Sequence, residues 1–389
     1  MQPAEKLLTD PKIREAFPVL KDVTYLNVGT YGVMPEPAIA KFQEVQAEFE
    51  RAGVASNHLF GRKADETRKR IAAMINADTE EIAFTRNATD GINLALAGFA
   101  WQPGDEVITT DEEHEAMNHP LLYLQRIKGI QVKRVAVSSQ PDVMIERLQR
   151  TLTHRTRLVA MSLITCETGT RLPAQAISSW ASEAKLLTLF DGAQASGAFP
   201  VNIKNIGCDF YASNGHKWLC GPKGTGFFYG KREKLEALIP AHVGAGSLEK
   251  ADITDGTAEL FRTGQRFEFG TRAWSLYAGL GFSLDWLEGV GWTNVYNHIE
   301  ALSDYLKGGI QHRSYLKLIT PHSFKDSSGL TSFIIEGHKA SDVSQVLREK
   351  WHIYVRVIPH YNAMRISTAH FNNQGDIDRL FEALDQMKG

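Results

Sequence analysis

The stretch LTLFDGAQASGAFPVNIKNIGCDFYASNGHKWLCGPKGTG, residues 187–226, decides the fold. Asp191 follows the short apolar run 186–190, and Lys217 follows a second run, 209–212, and a polar turn. A short apolar run stopped by glycine is typical of a buried strand in an α/β sheet. Such sheets bind ligands at the ends of their strands. The stretch therefore predicts a site that contains both a carboxylate and an amine.

The surroundings of Lys217 indicate what the amine does. It lies between His216 and Trp218, ahead of a glycine-rich turn, where partial desolvation favours the neutral, nucleophilic form. Such an amine forms a Schiff base, and Asp191 opposite it would keep a pyridine nitrogen protonated, which makes the ring an electron sink. The pattern predicts pyridoxal 5'-phosphate chemistry. The alternative is that Asp191 caps a helix and Lys217 is an ordinary solvated lysine.

The motif DGAQASG followed by SNGHKWLCGPKGTGF resembles the core signature of fold-type I pyridoxal-phosphate enzymes of the class V aminotransferase group. That group includes cystine carbon-sulfur lyases, cysteine desulfurases and isopenicillin N epimerases. The resemblance extends from Tyr25 to Phe371, and its most specific part is the separation of Asp191 and Lys217 by 26 residues (217 − 191). It implies a mainly parallel seven-stranded sheet flanked by helices, with a smaller α+β C-terminal domain.

Composition excludes several classes of protein. The chain has 389 residues, 43% hydrophobic and 23% charged, with a net charge of −2, which is ordinary for a soluble globular enzyme of two domains. Dispersed basic residues indicate no nucleic-acid partner, and no apolar run approaches the roughly 20 residues of a membrane span. The N-terminal residues carry charges throughout, so we expect no signal peptide and a cytoplasmic enzyme. Three cysteines without paired spacing argue against a disulfide framework or a zinc site.

Strands and helices alternate along the first two thirds of the chain, which favours a mainly parallel sheet with helices on both faces. After about residue 292 the pattern changes to a long helix followed by short strands and two more helices. We therefore expect a large cofactor-binding domain over residues 25–272 and a small domain over residues 273–389. The segment of residues 1–24 is expected to pack on the small domain.

An anion site is predicted where a strand at residues 82–85 is followed by a small-residue turn at residues 87–91 and a helix start. Free N–H groups and the helix dipole face one point there. A simple helix cap is the alternative. The resemblance implies that Ala88 and Thr89 hold the cofactor phosphate, with His216 and with Asn214, where a Ser or Thr is usual. It also implies a homodimer in which Thr271 reaches the phosphate of the partner subunit.

Four further roles follow from the resemblance. His114 stacks on the pyridine ring and moves protons, although a surface histidine is the alternative. Gln194 binds the phenolic oxygen of the cofactor. Arg365 binds the substrate carboxylate, for which the fork of an arginine is suited; Arg262 and Arg266 are alternatives. The YLNVGTYG segment, with Asn27 and Tyr31, lines the substrate side of the pocket or is a plain turn.

The residues leave the reaction open among three choices. A cysteine desulfurase carries a mobile nucleophilic cysteine shortly before the carboxylate arginine, and residues 356–363 contain none. Cys166 replaces the Asn typical of desulfurases and is expected to be a small buried side chain. We therefore expect β-elimination first, in which Lys217 removes the Cα proton and an aminoacrylate forms. Epimerisation is the second alternative, with His114, His360 or Tyr361 as the second acid. Transamination is the third alternative.

Overall fold

The protein is described by a computed structural model that covers residue 8 and residues 10–387, apart from the side chains of Asn57 and Phe60. The predicted segment of residues 1–24 therefore lies partly outside the described residues. Within the described part, fifteen strands form, in chain order: β1 Thr24–Tyr25, β2 Ile82–Thr85, β3 Glu106–Thr110, β4 Gln131–Val135, β5 Thr156–Ser162, β6 Leu187–Asp191, β7 Phe210–Asn214, β8 Gly226–Gly230, β9 Leu248–Asp252, β10 Thr257–Leu260, β11 Leu316–Leu318, β12 Leu330–Ile335, β13 Ile353–Tyr354, β14 Arg356–Ile358 and β15 Ala363–Ser367.

Twelve α-helices surround these strands in the described residues. They are α1 Pro11–Glu15, α2 Glu36–Ala52, α3 Asn57–Ile75, α4 Ala88–Gly98, α5 Glu115–Lys128, α6 Pro141–Thr151, α7 Ala174–Glu183, α8 Ile203–Ile206, α9 Trp274–Val290, α10 Trp292–Gln311, α11 Ala340–Trp351 and α12 Gln374–Gln386. Short 3-10 helices cover Pro18–Lys21, Gly53–Ser56, Thr79–Glu81, Arg232–Ala237, Gly264–Phe267, Phe324–Asp326 and Pro359–Tyr361.

The large sheet has seven strands in the order β2-β8-β7-β6-β5-β3-β4. Neighbouring strands are parallel except at β8, which runs antiparallel to both β2 and β7. Most of these strands are buried along their whole length, as expected when helices cover both faces. The predicted mainly parallel seven-stranded α/β sheet is confirmed, with β8 as the one reversed strand.

Two apolar cores lie on the two faces of this sheet. One contains Ile71, Phe190 and Leu284, so it joins the sheet to α3 and α9, and the other contains Leu96 and Met117 of α4 and α5. Both cores consist of buried side chains. The burial of one large apolar side chain stabilises the fold by about 1.5–3 kcal/mol. The sheet is thereby held rigidly, and its strand ends are fixed in space.

A four-stranded antiparallel sheet, in the order β11-β12-β15-β14, forms the C-terminal unit together with α10, α11 and α12. Strand β1 pairs in parallel with β13, which links the start of the described chain to this unit. Arg14 adds an ion pair with Asp376 at 2.8 Å. Helix α9, in contrast, packs against α2 and α3. The domain boundaries at residues 24 and 272 stay predictions.

Candidate active site

A pocket of about 510 Å³ lies where the carboxyl ends of the central large-sheet strands face β14 and β15 of the small sheet. Its volume is in the range of sites for cofactor-sized ligands. The pocket collects side chains from distant parts of the sequence, among them most of the predicted site residues: Tyr31, Ala88, Thr89, His114, Asp191, Gln194, Asn214, His216, Lys217 and Arg365.

Lys217 lies in the loop after β7 and is half-buried at the pocket wall. Burial lowers the pKa of its amine to about 8, although Asp191 opposes the change. The loop is held by close backbone contacts: the Gly32 N–H donates to His216 O at 2.7 Å. A Cβ atom on Gly32 would lie 2.0 Å from Lys217 O, so only glycine permits this approach. The lysine is therefore fixed and partly neutral.

Asp191 ends β6 and lies beside Ser162 of β5 in the register of the parallel pair. Its Oδ1 accepts the Ala193 N–H at 2.8 Å, and its Oδ2 has no partner among the described residues. Burial raises the pKa of Asp191, while Lys217 and His114 lower it. A carboxylate oxygen that faces the pocket and accepts no hydrogen bond from a described residue suits a protonated ring nitrogen.

The amide of Gln194 has a fixed orientation. Its Oε1 accepts from the indole Nε1–H of Trp218 at 3.0 Å, and its Nε2 donates to Gly29 O at 2.9 Å. Because an indole N–H only donates, the oxygen must face Trp218 and the NH₂ group must face the other way. One N–H of Gln194 remains to donate toward a phenolic oxygen in the pocket.

Helix α4 starts at Ala88 at one end of the pocket. The Ala88 N–H donates to Asn214 Oδ1 at 2.8 Å, so the Asn214 side chain is oriented with its NH₂ group free of described partners. Thr89, in the first turn, contributes an exposed hydroxyl and an N–H without a described partner. His216 lies nearby, and burial lowers the pKa of its imidazole. Donors of this kind at a helix start form an anion site.

His114 is the N-cap residue of α5, and its Nδ1 accepts the Ala116 N–H at 3.0 Å. The neutral ring therefore carries its proton on Nε2. Burial and the positive charge of Lys217 lower the pKa of His114. The histidine is thus a neutral donor that lines the pocket while remaining exposed to solvent.

Arg365 on β15 is buried, and its guanidinium is oriented from two sides. Nη1 donates to Cys166 O at 2.6 Å, and Nη2 donates to Thr30 Oγ1 at 3.3 Å. Nε is buried without a partner. Thr30 in turn donates to Asn27 Oδ1 at 2.7 Å, so Asn27 acts behind Thr30 and does not line the pocket itself. An arginine fixed in this way presents donors to a carboxylate.

Some predicted residues lie away from the pocket of this chain. Thr271 is exposed, Arg262 is exposed and lies 3.8 Å from Glu236, and Arg266 is buried beside Phe267. None of the three lines the pocket. A contribution of Thr271 to the site of a partner subunit stays a prediction.

Sequence reasoning missed several pocket residues. Glu113 is a buried residue of the pocket lining, Thr30 orients Arg365, and Arg356 and Glu167 also line the pocket. Arg356 stands directly opposite Arg365 in the register of β14 and β15. A pairing of β14 with β15 would have predicted that the two arginines share a face, because residues directly opposite on antiparallel strands project to the same side.

The donor set fits pyridoxal 5'-phosphate. A half-buried amine, an unpartnered carboxylate oxygen, a fixed amide and a helix start correspond to the carbonyl, ring nitrogen, phenolic oxygen and phosphate of that cofactor. Among the described residues, no cluster of His, Cys, Asp and Glu is placed to hold a metal ion. No helix within the described ranges is long and apolar enough to cross a bilayer.

Comparison with known proteins agrees with this geometry. The profile described as "Aminotransferase class-V" matches residues 34–380. A cysteine desulfurase of Cronobacter sakazakii is 31% identical over 96% of this chain and 97% of its own length. A cysteine desulfurase of Serratia proteamaculans is 29% identical over 97% and 98%.

Solved structures give the same result. The cystine C-S lyase C-DES in complex with its reaction product, cysteine persulfide, superposes with a TM-score of 0.88 at 27% identity over 95% of this chain and 98% of that one. A C-DES mutant with glycine covalently linked to the PLP cofactor gives 0.89 at 27% identity over the same shares of the two chains. The chain is a fold-type I, pyridoxal-phosphate-dependent enzyme. It belongs to the class V aminotransferase family.

Proposed function

We propose that the protein is a carbon-sulfur lyase that catalyses β-elimination on a sulfur-containing α-amino acid. The observation that carries the proposal is the short connection between β14 and β15, which contains Pro359, His360, Tyr361 and Asn362 and no cysteine. A persulfide-forming desulfurase needs a mobile thiol at this place. Here the connection is tied to the large domain, because the Tyr361 hydroxyl donates to Glu112 Oε1 at 3.0 Å.

The three cysteines do not replace such a thiol. Cys208 and Cys220 are buried away from the pocket. Cys166 is half-buried and lines the pocket, so the expectation of a buried side chain was wrong. Desolvation still raises the pKa of its thiol to about 11, so the thiol is protonated at neutral pH. The absence of a reactive thiolate supports elimination over sulfur transfer to the enzyme.

Each of these pocket residues has a separate role in elimination. Arg365 binds the α-carboxylate of the substrate, and Gln194 and Asp191 hold the cofactor at its phenolic oxygen and ring nitrogen. Bound pyridoxal phosphate supplies an electron sink for the electron pair left at Cα. Lys217, once exchanged for the substrate amine, takes the Cα proton on its Nζ, a role that suits a pKa lowered to about 8. The neutral His114 donates a hydrogen bond from Nε2 to the departing sulfur, which leaves as an anion.

With L-cystine as substrate the atoms balance as one hydrolytic cleavage. The Cβ–S bond breaks, the departing cysteine persulfide keeps both sulfur atoms, and the remaining three-carbon unit takes up water to give pyruvate and ammonia. No oxidant or reductant is consumed. The persulfide named as the reaction product in the C-DES structure corresponds to this leaving group.

Epimerisation has less support from the candidate acids. The Tyr361 hydroxyl is already donated to Glu112, which with burial raises the pKa of Tyr361. His360 is exposed in the same connection and does not line the pocket. Transamination and epimerisation are therefore outcomes of the test below.

Two further parts of the proposal concern the assembly and its location. We place the enzyme in the cytoplasm as a homodimer in which the exposed Thr271 of one subunit completes the phosphate site of the other. Thr89 is exposed at the start of α4. We propose that the second subunit packs over Thr89 in the dimer.

The test is an absorbance spectrum of the purified protein before and after L-cystine, with pyruvate assayed in the same sample. A visible cofactor band that changes with cystine and a stoichiometric yield of pyruvate support the lyase. A cofactor band that cystine changes without pyruvate refutes elimination; D-cystine or pyridoxamine phosphate as the product would then establish epimerisation or transamination.

A further inference from the structure

Glu113 is a buried acid of the pocket lining whose carboxyl is hydrogen-bonded by neutral groups. The carboxyl accepts from Thr110 Oγ1 at 2.5 Å, from Ser162 Oγ at 2.6 Å and from the Ser162 N–H at 3.0 Å. No described lysine, arginine or histidine forms an ion pair with it. Glu115 is exposed and Glu167 is half-buried in the same pocket, so water solvates those two carboxylates. A negative charge on Glu113 lacks this compensation.

The carboxyls of Glu113 and Asp191 lie on one side of the large sheet. Ser162 at the end of β5 is the register partner of Asp191 at the end of β6. Residues paired on neighbouring strands project their side chains to the same face, and Ser162 Oγ donates to Glu113. Burial and, after it, the charge of Asp191 raise the pKa of Glu113 to about 7, against the lowering effect of its hydrogen bonds. The thiol of Cys166 also faces Glu113 but is protonated and adds no charge.

The hydrogen bonds around Glu113 suit both of its protonation states. Thr110 Oγ1 and Ser162 Oγ have no other partner among the described residues, and a hydroxyl both donates and accepts. An ionised Glu113 accepts from both hydroxyls and from the Ser162 N–H. A protonated Glu113 donates to one hydroxyl and still accepts from the N–H. The carboxyl can therefore gain or lose a proton without leaving a buried polar group unpaired.

The two neighbouring carboxyls differ in the cations that face them. Lys217 and His114 lower the pKa of Asp191, whereas Glu113 is stabilised by neutral donors alone. In the cofactor-free enzyme a proton shared by the two carboxyls therefore belongs to Glu113. A cationic ring nitrogen that pairs with Asp191 brings a positive charge beside both carboxyls. An opposite charge at this distance favours the ionised form of a carboxyl, so cofactor binding opposes protonation of Glu113.

We propose that Glu113 holds a proton in the cofactor-free enzyme and releases it to solvent when the cationic ring of the cofactor pairs with Asp191. The O–H bond of the Glu113 carboxyl breaks, its electron pair stays on the carboxylate, and the proton leaves through the pocket, where His114 is exposed. The ionised Glu113 then acts through Asp191 as a positioning residue, because a second negative charge helps to keep the ring nitrogen protonated. The inference concerns cofactor binding and holds for elimination, epimerisation and transamination alike.

Proton release on cofactor binding tests the assignment. Isothermal titration calorimetry of the full-length, cofactor-free enzyme with pyridoxal 5'-phosphate at pH 7, in buffers of different ionisation enthalpy, counts the protons released per cofactor bound. Wild type is compared with Glu113→Gln and with the control Glu115→Gln, which removes an exposed carboxylate from the same pocket. Proton changes at Lys217 and at the cofactor phosphate are common to the three proteins and cancel in the differences.

We expect Glu113→Gln to release about half a proton less than wild type at pH 7, where Glu113 is about half protonated before the cofactor binds. Glu115→Gln releases as many protons as wild type. Between pH 6 and 8 the dissociation constant for pyridoxal phosphate falls about five- to tenfold more in wild type than in Glu113→Gln. A purely structural role of Glu113 would weaken binding by one factor at every pH. Equal proton release in wild type and Glu113→Gln, or a pH-independent ratio of their dissociation constants, overturns the proposal.

Ser162→Ala provides a second test that keeps the carboxyl in place, should Glu113→Gln fail to fold. The substitution removes a hydroxyl whose hydrogen bond lowers the pKa of Glu113. We therefore expect the pH midpoint of the change in the cofactor dissociation constant to lie higher in Ser162→Ala than in wild type, where it is about 7. A midpoint equal to that of wild type would show that another group releases the proton, and would overturn the role of Glu113.

Discussion

Replacing Glu113 by Gln tests the electrostatics beneath the cofactor site. The Glu113 carboxyl is buried and accepts hydrogen bonds from Thr110 Oγ1 at 2.5 Å, from Ser162 Oγ at 2.6 Å and from the Ser162 N–H at 3.0 Å. Burial raises the pKa of Glu113 from 4.5 to about 7, and the negative charge of Asp191 adds to the effect. The three hydrogen bonds oppose the rise without cancelling it.

The sign of the effect on stability follows from this raised pKa. Between pH 4.5 and about 7 the folded protein holds a proton on Glu113 that the unfolded chain has released. The free energy of unfolding therefore falls as the pH rises through this window. At about 1.4 kcal/mol per pH unit, the total loss is about 3 kcal/mol. A Gln at this position is neutral at every pH and does not share the loss.

We therefore expect the free energy of unfolding of Glu113→Gln, relative to wild type, to increase by about 3 kcal/mol between pH 4.5 and 8. Urea denaturation of the cofactor-free variant and wild type at the two pH values measures this change in relative unfolding free energy. Any pH-independent destabilisation caused by the Gln side chain cancels between the two pH values. Glu106→Gln is the control, because Glu106 is a buried carboxyl with Lys133 at 3.7 Å as counter-ion. A difference between Glu113→Gln and wild type that stays constant with pH would refute the reasoning.

Three further substitutions give expected outcomes. Arg365→Lys keeps the charge but loses the fork, so we expect kcat/KM for the amino-acid substrate to fall about ten- to a hundredfold in a pyruvate assay; activity equal to wild type would remove this residue from carboxylate binding. Tyr361→Phe removes the hydrogen bond to Glu112 and should cost about 1 kcal/mol in urea denaturation, more than the control Tyr354→Phe, whose hydroxyl has no described partner. Thr271→Val should raise the dissociation constant for pyridoxal phosphate about three- to tenfold if a partner subunit supplies this hydroxyl, and cofactor titration with an unchanged constant would contradict the shared site.

The central part of the site could be predicted because its signals are local. Asp191 ends one strand and Lys217 follows another, both recognisable from their apolar runs, and parallel strands bring their ends to one edge of a sheet. The helix start at Ala88 has a capping residue, Asn87, whose side chain accepts the Asp90 N–H at 2.9 Å. Short-range patterns of this kind need no knowledge of the tertiary fold.

The remainder depends on contacts between residues far apart in the sequence. Thr30 and Arg365 form a hydrogen bond across 335 residues, and nothing near either residue indicates the other. In the sequence, Glu113 is one of several acidic residues in a polar turn. Only the fold shows that Ser162 donates hydrogen bonds to its carboxyl. The hairpin of β9 and β10 went unpredicted because its residues are mostly exposed and carry no regular alternation of apolar side chains.

The attachment of the cofactor to Lys217 is the central claim, and borohydride reduction followed by peptide mass spectrometry tests it most directly. Reduction makes the link between pyridoxal phosphate and an amine permanent, so the modified residue is identified in the intact wild-type enzyme. Lys223, which is partly buried and whose amine donates to Gly32 O at 2.8 Å, is an internal control lysine. The account predicts the cofactor on Lys217 alone and its loss in a folded Lys217→Ala variant. Cofactor on Lys223, or an unchanged visible band in Lys217→Ala, would contradict it.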